Sequence, residues 1–157
     1  MQIAQEIGLR EDVVLRDSSP RLNVPMRLSI GGAPIPTWGY HGSGPADTAF
    51  NILLAAGLEP DVAADLHDQF IGDFLYSLPR EGGRIPYGEV NAWIERQLTC
   101  DHSAFEFRGL RRPAENGSDE RIAAALGDDY CVGCGCGKRV LEKRAKGGFR
   151  RGKYRVW

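Results

Sequence analysis

No run of about 18 consecutive apolar residues occurs in the chain, so no segment reads as a transmembrane helix. The opening stretch MQIAQEIGLREDVV lacks the apolar block of a secretory leader and carries acids instead, so we expect a cytoplasmic protein. Cysteine is scarce, four in 157 residues, and without a leader these read as thiols or metal ligands before disulfides. Cations are missing from the centre: no Lys or Arg lies between Pro36 and Pro79. That gap decides how TWGYHGSGPADTAF, residues 37–50, is understood. Glycines ahead of a helix suggest a phosphate loop, but G-x-x-x-x-G-K-[ST] needs its lysine to neutralise the phosphates. None is present, and Asp47, expected in the first helical turn, repels an anion. A helix N-terminus still holds an anion weakly, yet the glycines are better explained as a sharp turn. In that reading Trp38, Tyr40, Gly42 and Gly44 are structural, the glycines letting both rings pack on the helix. A nucleophile-elbow spacing is also missing, and no residue is assigned a catalytic role.

What is present is charge, unevenly placed. Residues 138–157, KRVLEKRAKGGFRRGKYRVW, hold nine Lys and Arg against the single acid Glu142, a balance of +8. The other 137 residues carry 11 basic and 20 acidic side chains, a balance of −9. An acidic body with a basic end implies contact with a polyanion or with the chain's own body. Within that end, Lys143, Arg144, Lys146, Arg150, Arg151, Lys153 and Arg155 are candidate partner-binding residues. Phe149, Tyr154 and Trp157 interleave with them, so charge meets phosphate while rings stack on bases. The alternative is a final strand whose Tyr154 and Trp157 enter the core.

The apolar pattern points to an α+β fold. Leu22, Val24, Met26, Leu28 and Ile30 alternate as in a half-buried strand, with Pro25 suggesting a sheet edge. DVVLRD is its expected hairpin partner, across a turn at residues 17–21. A compact three-helix middle follows. The first helix is expected from Pro45 to Ala56, capped by Ser43 or Gly44, with Ala49, Ile52, Leu53 and Ala56 inward, Asp47 complementing the dipole and Gly57 as its stop. The second starts at Pro60 with Val62, Leu66, Phe70, Phe74 and Leu78 inward and ends at Pro79. Its Asp61, Asp65 and Asp68, with Asp73, form an acidic surface that is a second candidate partner-binding face. REGGR is expected to turn, and a third helix follows with Val90, Trp93, Ile94 and Leu98 inward. A short helix over SDERIAAALG and strands within SAFEFRGLRRP and FRRGKYRVW complete the reading. Residues 1–100 are expected as the α+β core and 101–157 as a Cys-containing, basic region packed on it.

CVGCGCG places Cys131, Cys134 and Cys136 between glycines, the shape of a zinc knuckle in which backbone N–H groups turn toward thiolates. Cys100 and His102 in TCDHS complete a four-ligand set for zinc, leaving one cysteine spare. Unpaired thiols in a loop are the alternative reading of the same residues.

WGYHGSGPADTAFNILL, DVAADLHDQFIGDFLYSLP and EVNAWIERQL together resemble an uncharacterised domain family of plasmid, phage and archaeal-virus genomes, over roughly residues 37–98. The sequence departs from that pattern at His41, where glycine is usual, and at Asp47, Thr48 and Phe50, where Gln and Leu are common. The resemblance implies a mobile-element origin and transfers no catalytic residue. The expected function is a non-enzymatic, anti-CRISPR-like inhibitor that binds a host ribonucleoprotein effector. The alternatives are a small zinc-stabilised DNA- or RNA-binding regulator and an enzyme working through the Trp38–Gly44 turn.

Overall fold

The computed structural model describes residues 7–100 except residue 34, and beyond them the strands Phe105–Phe107, Asp129–Cys131 and Arg155–Val156. The chain divides into two compact units, Met1–Glu95 with Phe149–Trp157, and Arg96–Gly148. Along the chain run β1 (Val13–Arg16), β2 (Leu28–Ser29), α1 (Ser43–Ala55), α2 (Pro60–Phe70), β3 (Gly82–Ile85), α3 (Tyr87–Thr99), β4 (Phe105–Phe107), β5 (Asp129–Cys131) and β6 (Arg155–Val156). A hairpin followed by three helices makes the fold α+β, as the pattern predicts.

The hairpin is short. Leu15 bridges Leu22, Arg16 N–H donates to Arg21 O at 2.9 Å, and Asn23 N–H donates to Val14 O at 3.3 Å. The full ladder of β1 is antiparallel to β3, from Val13↔Ile85 to Arg16↔Gly82. REGGR therefore becomes a strand rather than only a turn. Gly82 takes φ +92°, and a Cβ there would lie 2.0 Å from the carbonyl oxygen of Leu15. Glycine here allows close approach of two backbones, a use that sequence alone does not separate from turning.

The strand expected over residues 21–30 survives only as the Leu22 bridge and as β2. Side chains of α1 take the place of a neighbouring strand. Asn51, 1% exposed, accepts the N–H groups of Arg27 and Leu28 at 2.6 and 3.1 Å and donates to Leu28 O at 2.8 Å. Successive residues of a strand turn their backbone groups to opposite edges, so Ser29 faces the other side, where β6 pairs in the register Leu28↔Val156, Ser29↔Arg155. The strand expected within FRRGKYRVW is thus present, and so is the one expected within SAFEFRGLRRP, as β4 against β5.

Helix α1 begins at Ser43, two residues ahead of Pro45, with Gly42 at the N-cap and no side-chain cap. Gly57 follows it at φ +92°. The predicted stripe is buried, and so are Phe50 and Leu54, so α1 lies inside the core rather than on it. Helix α2 buries Ala63, Leu66 and Phe70 and continues without a break into a π-helical turn, Ile71–Leu75, where Tyr76 N–H donates to Ile71 O at 2.8 Å, five residues back. Helix α3 buries Val90, Trp93 and Ile94, but Leu98, expected inward, is 45% exposed and Gln97 is buried instead. Its first turn is capped from a distance by Asp12, which accepts Tyr87 N–H at 3.0 Å. No helix among the described residues is long and apolar enough to cross a membrane. The helix expected over SDERIAAALG lies outside the described residues.

Candidate functional site

The Trp38–Gly44 turn divides its two rings. Trp38 is buried, its indole N–H donates to Pro79 O at 2.8 Å, and the Arg21 guanidinium lies 5.2 Å from its ring centroid. Gly39, at φ +87°, donates its N–H to Leu75 O at 3.0 Å. Tyr40 stays 39% exposed, with its hydroxyl 3.0 Å from Thr37 Oγ1. Its ring lies over the glycines: a Cβ at Gly42 would fall 2.7 Å from Tyr40 Cε2, and one at Gly44 would fall 1.8 Å from Thr37 Oγ1 and 2.8 Å from the Tyr40 hydroxyl. Gly42 and Gly44 are thus the seat of a tyrosine ring that faces solvent, not a cradle for phosphate. Beside it, the exposed His41 ring packs on Tyr76 with centroids 4.9 Å apart.

An anion cup does exist nearby, and the chain fills it. Asp47, fully buried, accepts from Ile30 N–H at 2.7 Å and Gly31 N–H at 3.0 Å through Oδ1. Through Oδ2 it accepts from Ala33 N–H at 2.7 Å and from the Ser29 hydroxyl at 2.9 Å. Ser29 Oγ in turn accepts Gly32 N–H at 2.8 Å. The sequence reading has Asp47 complementing the helix dipole in the first turn; in the structure it is a buried peg for the 29–33 loop. Four hydrogen bonds make burial of a carboxylate tolerable. The Thr48 hydroxyl does similar work, accepting Thr37 N–H at 3.0 Å and lying 2.9 Å from the carbonyls of Thr37 and Gly44.

The acidic face of α2 is present in part. Asp61 and Asp65 are half-buried, and the Asp68 side chain is 61% exposed, with its Oδ1 3.2 Å from His67 Nε2. His67 itself is buried, its Nδ1 against Ala64 O. Asp73, exposed as the sequence reading expects, also accepts Trp93 indole N–H at 2.8 Å and Gln69 Nε2 at 3.0 Å. It ties the π-turn to α3 beside the cluster of Phe70, Phe74 and Trp93 rings. Nothing in the local sequence marks that pairing, because Asp73 and Trp93 are twenty residues apart.

Of the expected zinc ligands, Cys100 is half-buried just after α3, its N–H donating to Arg96 O at 3.0 Å. The backbone of Cys131 lies in β5 opposite Phe105. His102, Cys134 and Cys136 lie outside the described residues, as do Lys143, Arg144, Lys146, Arg150, Arg151 and Lys153. Arg155 is in β6, opposite Ser29. Among the described residues no group of three or more His, Cys, Asp or Glu is placed to hold a metal ion.

The model of a family of unknown function (DUF6166) matches residues 11–96, from just before β1 to late in α3. No curated protein and no solved structure matches the chain significantly.

Proposed function

The chain belongs to the DUF6166 family of unknown function, and we propose that it is a non-enzymatic binding protein whose activity rests on its segregated charge. One observation carries this reading. Residues 37–79 present acids and no Lys or Arg, while residues 138–157 carry +8. The polar groups buried around the glycine turn support it, because Asp47, Thr48 and Asn51 all bond backbone and hold loops in place. In its finer form, the protein belongs to a mobile genetic element, acts in the cytoplasm and inhibits a host defence ribonucleoprotein. Asp61, Asp65 and Asp68 face the effector's basic channel, and the cationic segment engages its RNA or an acidic patch. Complementary potentials favour such recognition at modest contact area.

The test is capture of a purified host effector complex by the full chain. Stable capture with weak binding to naked oligonucleotide supports the inhibitor. Tight binding to naked oligonucleotide, falling steeply with salt, points instead to a nucleic-acid regulator.

That regulator, stabilised by zinc, is the second reading, and the β4–β5 register favours it. Phe105 pairs with Cys131, and Cys100 lies five positions before Phe105 while Cys134 lies three after Cys131. All five candidate ligands also belong to the unit Arg96–Gly148. Metal analysis of purified protein should find about one zinc per chain, lost in Cys131→Ser with Cys134→Ser. Less than about half an equivalent, unchanged by that double substitution, removes zinc from the account.

A further inference from the structure

β6 is a strand of two residues, where strands of globular proteins usually run to roughly 3–10. Its ladder on β2 is correspondingly brief, Leu28↔Val156 and Ser29↔Arg155. One further step along that register sets Trp157 opposite Arg27, but there the ladder stops. Arg27 N–H donates to Asn51 Oδ1 at 2.6 Å, so the backbone group that a third pair would use is spent on α1. Two residues of pairing hold a segment weakly, because each hydrogen bond only replaces one made with water. Yet Phe149–Trp157 belongs to the same compact unit as Met1–Glu95. A second anchor is called for, and Trp157 is the residue that follows β6.

Beside this end of β2 lies a cavity of about 320 Å³. Arg27 and Leu28 line it from β2, Leu54 and Ala55 from the end of α1, and Leu58 and Pro60 from the turn beyond. Leu54 and Leu58 are buried and make its base apolar, while Arg27 and Ala55 are exposed at its rim. Its volume sits at the small end of the roughly 300–1,000 Å³ of ligand pockets, a size suited to a single bicyclic ring. Opposed residues of an antiparallel pair stand on one face, so position 157 shares the face of Arg27.

We infer that the Trp157 indole docks in this cavity and latches β6 to β2 and α1. The inference goes beyond both functional readings above and depends on neither. Leucine and proline side chains meet the ring, and the Arg27 guanidinium stacks on its face. The last turn of a helix leaves carbonyls without helical partners, so the end of α1 offers acceptors to the indole N–H. Tryptophan brings a large, rigid surface on two torsions, so its docking costs little entropy. The latch tethers the far end of the cationic segment to the acidic unit, and it withdraws Trp157 from the rings that could stack on bases.

The test is the fluorescence of Trp157 in the full chain, taken as the difference between the unaltered protein and Trp157→Phe, since Trp38 and Trp93 emit in both. A docked indole should emit to the blue of free tryptophan and resist quenching by acrylamide several-fold. Ala55→Phe fills the cavity from its rim, and Ala55→Leu does so with a smaller plug. Either should shift the Trp157 emission to the red and raise its quenching several-fold. The same two substitutions in the Trp157→Phe background should leave the Trp38 and Trp93 emission unmoved, which shows the core intact. Trp157 emission that is red and freely quenched in the unaltered chain overturns the inference. So does a shielded Trp157 that ignores both Ala55 substitutions, which would seat the ring elsewhere. Oligo-thymidylate should leave the Trp157 signal unchanged; quenching of Trp157 on its addition also overturns the latch and gives the ring to nucleic acid.

Discussion

A buried carboxylate anchors one loop of the described core. Asp47 accepts four hydrogen bonds, three of them from backbone N–H groups of the 29–33 loop. Asp47→Ala should destabilise the protein by about 2–4 kcal/mol in chemical denaturation, because the donors it leaves behind stay at least partly buried. Asp47→Asn should recover little, since an amide NH2 would face donors instead of accepting from them. Two glycines make a matched pair at the same scale. Gly82→Ala forces a Cβ to 2.0 Å from Leu15 O at φ +92° and should cost at least about 2 kcal/mol. Gly72→Ala meets open space and should be neutral or stabilising by up to about 1 kcal/mol. Thermal melts of the two variants, shifted in opposite directions or with Gly72→Ala unmoved, would bear this out; equal losses would not.

At the scale of elements, α3 depends on a residue far from it in sequence. Asp12 precedes β1, and its carboxylate accepts Tyr87 N–H while its other oxygen lies 3.4 Å from Arg84. Asp12→Ala should cost about 1 kcal/mol by removing that cap, read as a lower denaturation midpoint with an unchanged slope. The helices are legible because their buried stripes are long and periodic, and that period names most of the core residues of α1, α2 and α3. The strands are less legible for a specific reason. Alternation over residues 21–30 promises a partner strand, but Asn51 and Asp47 on α1 supply the hydrogen bonds that a strand would have supplied. REGGR resembles a turn because glycine marks both turns and close contacts. Leu98 misleads because a stripe of period 3.6 passes through Gln97 as easily as through Leu98 near a helix end.

For the molecule as a whole, the cationic stretch ends in a paired strand. Residues 132–154 separate β5 from β6, and β6 pairs with β2 in the acidic unit. A chain lacking Phe149–Trp157 should lose amide protection at Ser29 in hydrogen exchange, while Leu28, bonded to Asn51, should keep its own. Equal protection at Ser29 with and without that segment would show that β6 contributes nothing to the edge. The overall charge contrast is legible by counting, and so is a candidate strand near Arg155. The pairing partner is not, because nothing in two residues of strand specifies which edge they join.

The contacts of Asp47 and Asn51 carry a consequence in time. These two side chains stand on one face only after a turn of α1 has wound up, since four positions separate them. The 27–33 stretch has no regular ladder of its own beyond two residues, so the wound helix serves as its mould. Order in that stretch should then follow order in the helix, and a fluorophore set there should report the winding of the helix in a stopped-flow trace, not an earlier phase of its own.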